Sequence, residues 1–187
     1  MGYMEIKYRK SEIRNISVRI TLYILILLIW TGCSNSKQNG LVYSEDFENM
    51  RTCNPRFLSD KCAHSGTYAN ELNAEKIYGK TTSFKFEHFS PKKIKGIFVI
   101  FWVYLSDADS KGQFVVEVKE PNSRNQYRKE INFDTAIAPA GKWTQMSLHY
   151  TFETPNVSLP DNTISIYPCN LSKENIYIDD VTINFEI

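Results

Sequence analysis

Alternation of apolar and polar residues with a period of two runs through the second half of the chain. Phe84 and Phe86 alternate with Lys85 and Glu87, and Phe114, Val116 and Val118 alternate with Val115, Glu117 and Lys119. Met146, Leu148, Tyr150 and Phe152 alternate with Gln145, Ser147, His149 and Thr151. This is the pattern of antiparallel strands with one buried face and one wet face. Ile94 to Leu105 is apolar on both parities and rich in β-branched and aromatic residues, which predicts a central strand covered on both sides. Turn residues punctuate the runs at Ser65-Gly66, Ser90-Pro91, Asp107 to Gly112, Pro121 to Ser123, Pro139 to Gly141, Pro160 to Asn162 and Asn170 to Glu174. About nine strands result. No stretch sustains a 3.6-residue period with caps, and no repeat is visible. Many short strands at regular spacing predict an all-β sandwich or barrel. The 11 Phe and 11 Tyr then fill a two-sheet core from both inner faces.

The N-terminal segment follows a different rule. Ile20 to Trp30 is an eleven-residue apolar run with Thr21 its one polar member, preceded by Lys7, Arg9, Lys10, Arg14 and Arg19 and closed by Thr31-Gly-Cys-Ser34. Eleven residues fall short of the roughly twenty a spanning helix needs. A positive n-region, a short h-region and small residues before a cysteine describe a lipoprotein signal. The segment resembles the bacterial lipobox, with Trp30 where Leu is commoner. The expected organisation is a signal peptide over residues 1–32, an acylated Cys33 heading a polar tether over 33–40, and one domain over 41–187. The membrane is then a partner through the lipid on Cys33, in the cell envelope and at the outer membrane. The absence of acidic residues just after the cysteine favours the periplasmic side.

Charge narrows the partners further. The whole chain carries +1; the leader holds five basic and two acidic residues, so the remainder carries 17 basic against 19 acidic, or −2. A nearly neutral domain without a Lys/Arg stripe lacks the footprint that phosphate backbones demand, which excludes nucleic acid. Beyond Cys33 the chain has Cys53, Cys62 and Cys169. In an oxidising compartment Cys53 and Cys62 are close enough to bridge; the alternative is three small buried hydrophobes. Zinc has no CxxC spacing to use, and His64, His88 and His149 are scattered.

Catalytic signatures are missing. There is no G-x-S-x-G, no His with an obvious catalytic Ser or Cys partner, and no spaced acidic pair of the kind jelly-roll glycanases use. The expectation is a protein that is not an enzyme, with a glycan-degrading enzyme as the remote alternative. If strands 113–119, 126–133 and 143–152 are neighbours, then Glu117, Arg128, Glu130, Asn132, Gln145 and His149 form one polar face with Trp143 at its edge. Trp143, Arg128, Gln145 and His149 would make a sugar platform, an aromatic ring beside planar hydrogen-bonding groups. An ordinary solvated face with Trp143 packed as a corner residue is the commoner arrangement. Trp102 and Tyr104 share a parity and read as core, while Tyr43, Tyr68, Tyr78 and Tyr167 lie near loops.

Five short motifs occur in order: Ser44-Glu-Asp-Phe-Glu-Asn49, His64-Ser-Gly-Thr-Tyr68, Phe101-Trp-Val-Tyr104, Gly141-Lys-Trp-Thr144 and Tyr177-Ile-Asp-Asp-Val-Thr-Ile183. Together they resemble the galactose-binding-like jelly rolls, the sandwiches used by many carbohydrate-binding modules, over residues 41 to 187. The resemblance implies a jelly-roll β-sandwich of about eight to nine antiparallel strands and non-catalytic recognition of a polysaccharide or oligosaccharide. It also implies a structural calcium (Ca2+) where the first and last strands meet, held by Glu48, Asp179 or Asp180 and the backbone around Ser65. Strand parity puts Asp179 on the face of Val181 and Ile183, which favours it over Asp180. The rival function is a structural or assembly lipoprotein that uses the sandwich for protein contacts. An exposed aromatic pair with Asn, Gln or Arg around it favours sugar; a large flat apolar patch favours protein.

Overall fold

The computed structural model describes residues 41–49, 55–89, 93–121, 126–154 and 156–187. The leader, Cys33, the tether and Cys53 lie outside them, and with Cys53 the expected bridge to Cys62. Ten strands form: β1 (Leu41–Glu45), β2 (Leu58–Ser59), β3 (Ala69–Leu72), β4 (Thr82–Lys85), β5 (Gly96–Leu105), β6 (Lys111–Lys119), β7 (Gln126–Asp134), β8 (Trp143–Thr151), β9 (Thr163–Asn170) and β10 (Ile176–Glu186). Two short 3-10 turns, Pro55–Phe57 and Phe86–His88, complete the described elements.

The strands make two antiparallel sheets. One runs β2-β3-β10-β5-β8 with β1 also on β10, the other β4-β9-β6-β7. The all-β sandwich expected from alternation is therefore the architecture observed, with ten strands where about nine were expected. Alternation places the core as the sequence pattern requires. Ile97, Val99, Phe101, Val103 and Leu105 of β5 face Phe114, Val116 and Val118 of β6, all within 2% of full burial. The Phe101 ring stacks on Phe114 with centroids 4.2 Å apart. Each such side chain contributes about 1.5–3 kcal/mol by leaving water.

Two expectations about this framework fail. First, β8 is not beside β7; it pairs with β5 along its whole length, from Gly96↔Thr151 to Tyr104↔Trp143. Alternation reports which way a side chain faces and says nothing about which strand lies next to it. The chain leaves β7 through Thr135 to Lys142 and crosses to the other sheet, so Arg128 and Gln145 belong to different sheets. For the same reason β5 is covered on one side only, and Phe98, Ile100, Trp102 and Tyr104 on its outer parity are half-buried.

Second, Asp179 does not share a face with Val181 and Ile183. Between Asp179↔Trp102 and Thr182↔Ile100 the register of β10 against β5 slips. Asp180 sits at φ 47°, in the left-handed region where Asp is among the tolerated residues. Two residues of β10 thus oppose one of β5, a β-bulge. Ile176 and Ile178 reach the core before it, Val181, Ile183 and Phe185 after it, and Asp179 is left on the outer side with Tyr177.

Candidate functional site

The outer face of the four-stranded sheet is a recess floored by β6. Cross-strand register sets Gln113 between Cys169 and Asn132, Val115 between Tyr167 and Glu130, Glu117 between Ser165 and Arg128, and Lys119 between Thr163 and Gln126. Val115 and Glu117 are on the outer parity yet are only 0% and 5% exposed, so their neighbours rise above them. A buried carboxylate needs a partner. Glu117 has one in Lys119, whose Nζ is 2.9 Å away, and this contact raises the lysine's pKa. Arg128 Nε donates to Glu130 at 2.7 Å, and the hydroxyls of Ser83 and Ser165 are 2.9 Å apart.

Two tyrosines stand at one side of this floor. An isolated bridge pairs Tyr78 with Cys169 and so carries it onto the outer face. The bridge is fixed by Gly79 N donating to Pro168 O (3.0 Å) and Asn170 N to Ile77 O (2.7 Å). The Tyr78 and Tyr167 rings meet edge to face, centroids 6.0 Å apart at 69°. Tyr78 is 59% exposed. Burial, then the Glu117 charge, push the Tyr167 phenol pKa up, while Arg128 and Lys119 oppose them. Beside Tyr78, Arg56, Phe57, Lys76 and Ile77 line an open groove of about 510 Å³.

The four residues assigned to calcium also come together, on the outer side of the other sheet. Phe47 holds a left-handed φ of 63° with its side chain 2% exposed in the core. This turn aims Glu48 at the loop before β3, where Oε1 accepts from Thr67 N at 2.8 Å and Tyr68 N at 2.7 Å. Gly66 has φ 61°, and a Cβ there would sit 2.5 Å from the same oxygen. From the bulge, Asp179 Oδ2 accepts from His64 N (2.8 Å) and Ser65 N (3.2 Å), and Oδ1 accepts from Asp180 N (2.8 Å). Asp180 takes the His64 ring at 2.6 Å and Ser65 Oγ at 2.7 Å. Asp179 is fully buried, and burial pushes its pKa up to about 6 against the three amides that lower it.

Calcium binds six to eight oxygens. Here the carboxylates face N–H groups, and among the described residues no three His, Cys, Asp or Glu side chains converge as ligands. These oxygens are arranged to accept hydrogen bonds from backbone amides. What they build is a latch fastening residues 64–68 to the bulge. The His64 ring lies on Trp102 at 3.8 Å and 17°, with Trp143 edge-on at 5.5 Å and Tyr104 5.6 Å beyond. Burial raises the Cys62 thiol pKa, while the Trp143 indole N–H directed at the sulfur lowers it.

The four residues assigned to a sugar platform therefore divide. Trp143, Gln145 and His149 share the outer face of the six-stranded sheet, where Trp143 is packed as a corner residue, and Arg128 lies on the other sheet. Arg128 and His149 do line one open groove of about 570 Å³, between the free edges of β7 and β8. Tyr167 was legible as an outward position of the β9 alternation; Tyr78, in an irregular segment, carries no periodic signal.

No family model and no curated protein matches the sequence. Solved structures do. The tandem CBM22-1–CBM22-2 domain of Paenibacillus barcinonensis Xyn10C matches with a TM-score of 0.54 and 12% identity, over 76% of this chain and 49% of that one. The solved structures this chain resembles include carbohydrate-binding modules. Others are Family 16 Carbohydrate Binding Module-2 (TM-score 0.46, 16% identity, 67% of this chain and 82% of that one) and TmCBM61 in complex with beta-1,4-galactotriose (0.38, 12%, 81% and 85%). The chain spans about half of the tandem structure, and the likeness is one of fold: the jelly-roll sandwich.

Proposed function

We propose that the protein is a non-catalytic glycan-recognition module that holds a saccharide chain on the outer face of its four-stranded sheet. The observation that carries this reading is the Tyr78–Tyr167 pair, partly exposed and set beside a floor of hydrogen-bonding side chains. A pyranose ring has an apolar face that stacks on an aromatic ring and equatorial hydroxyls that bond planar polar groups. Gln113, Asn132, Arg128 and the Ser83–Ser165 pair supply those groups within the same registers. The likeness of fold to the tandem CBM22 modules of Xyn10C supports the same reading. On this reading the leader and Cys33 deliver the module to the envelope.

Affinity electrophoresis against a panel of soluble polysaccharides tests it. Tyr78→Ala and Tyr167→Ala each weaken retention about tenfold or more, the scale of a binding hot spot, with little change in the melt for the exposed Tyr78. Retention of no glycan in the panel by the wild type, or wild-type retention by both variants, overturns the assignment. A second reading has its own observation. Phe98, Ile100, Trp102 and Tyr104 form a half-buried apolar stripe along β5, which suits a protein contact in a structural lipoprotein.

A further inference from the structure

We propose that β8 is a pairing edge for a second copy of this chain, joining two six-stranded sheets antiparallel through Trp143–Thr151. The argument starts from how the sandwich treats its edges. An unpaired strand edge is a template for association, and proteins blunt it by shortening the strand or by placing charges on it. Among the described residues β1, β2, β4, β7 and β8 each have an unpaired side. β2 has two residues, β4 has four and ends on Lys85, and β1 has five and ends on Glu45. β7 is long but carries Arg128, Lys129, Glu130 and Asp134, with Lys129 on the inward parity opposite Val116. Only β8 is both long and bare. Its nine residues, WTQMSLHYT, include no Asp, Glu, Lys, Arg, Pro or Gly. Its one titratable side chain beside Tyr150, His149, already faces Glu186 at 3.0 Å.

The strand is also complementary to itself. A twofold axis through Ser147 pairs all nine residues and sets Ser147 against the partner's Ser147. It places Gln145 against the partner's His149 and Trp143 against the partner's Thr151. No like charges meet in that outer row. On the inner row Met146 lies against the partner's Leu148 and Thr144 against the partner's Tyr150, continuing the core beneath the joined sheets. Tyr150, half-buried at the groove between the two free edges, gains cover. A C2 contact of this kind is isologous and closes on itself. Lys129 blocks the equivalent extension of the four-stranded sheet, so only one sheet grows. The axis stands normal to the sheet and leaves both outer faces of the four-stranded sheets pointing one way, which two sites on one polymer would exploit as avidity.

Sedimentation equilibrium of the full chain over a concentration series reads the outcome. The wild type is expected at twice the monomer mass. Ser147→Lys sets two lysines together on the axis and is expected to return the monomer, raising the dissociation constant by more than about tenfold. Ser147 is exposed, so its melt should match wild type; should that variant unfold, Gln145→Lys, facing the partner's His149, gives the same reading. A wild type that stays monomeric throughout, as it would if β8 takes an extended segment of another protein instead, overturns the proposal. So does a dimer that both lysine variants leave intact.

Discussion

The two sheets turn opposite kinds of surface outward. On the four-stranded sheet the centre is polar or recessed, its charges are neutralised in place by Glu117–Lys119 and Arg128–Glu130, and its rings stand free at the side. On the six-stranded sheet the centre is apolar and the rings are engaged: Trp102 lies under His64, and Trp143 touches His64, Tyr104 and Cys62. An aromatic side chain with both faces committed holds structure together, while one with a bare face can receive something. Abundance of Trp and Tyr therefore says little until their contacts are known.

The largest expected effect that would test this contrast is on the latch. Asp179→Ala strands the amides of His64, Ser65 and Asp180 without their acceptor, and should cost about 3–5 kcal/mol in denaturant unfolding. The folded fraction should still retain glycan. The same melt with and without a chelator separates the two accounts of these carboxylates. An unchanged melt is what amide-facing oxygens call for, and a chelator-sensitive one would assign them to an ion.

Next in size is Trp143→Ala, which removes a half-buried corner and should cost about 3 kcal/mol without weakening retention by the folded protein. Loss of binding at unchanged stability would reverse the roles assigned to the two faces. Smaller again is a matched pair of surface changes. Arg128→Ala should weaken retention about tenfold, or about 1.4 kcal/mol, and Gln145→Ala should leave it alone, each within about ±0.5 kcal/mol of wild-type stability. If Gln145→Ala is the damaging one, the sugar lies on the six-stranded sheet.

The last effect is on pH dependence. Between pH 3.8 and about 6 the native Asp179 carboxyl keeps a proton that the unfolded chain has already released. The native state then binds more protons than the unfolded state, so stability falls as pH rises through that window. Asp179→Asn should flatten that slope, and a slope unchanged by the substitution would place its origin elsewhere.

Facing was legible in the sequence and adjacency was not. The alternation in β6 and β8 named Phe114, Val116, Val118, Met146 and Leu148 as core, because a strand's period of two is a local property. Which strand lies beside β8 is decided by where the chain crosses between sheets, and Thr135 to Lys142 looks like any other turn. The bulge had a visible trace: apolar positions fall on even numbers at Ile176 and Ile178 and on odd numbers at Val181, Ile183 and Phe185, with two aspartates between. Reading the phase through Asp179 from its C-terminal side alone hid the slip. Of the outer face of the four-stranded sheet, Glu117, Arg128, Glu130 and Asn132 were grouped correctly, since β6 and β7 are paired antiparallel neighbours. Tyr78 was not, since one bridge to Cys169 is all that places it.

The bulge in β10 also sets which genetic changes that strand can absorb. Replacing Asp180 trades one side chain and leaves every later residue facing as before. Deleting it removes the extra residue, so Val181 follows Asp179 and falls opposite Phe101, and Val181, Ile183 and Phe185 still face the core. What is lost is the left-handed step and the carboxylate that holds the His64 ring and Ser65 Oγ. A single in-frame codon loss at this position would thus act on the latch and spare the interior, whereas loss of Thr182, with the bulge kept, would turn Ile183 and Phe185 outward and Asn184 inward along the strand that joins β1, β3 and β5.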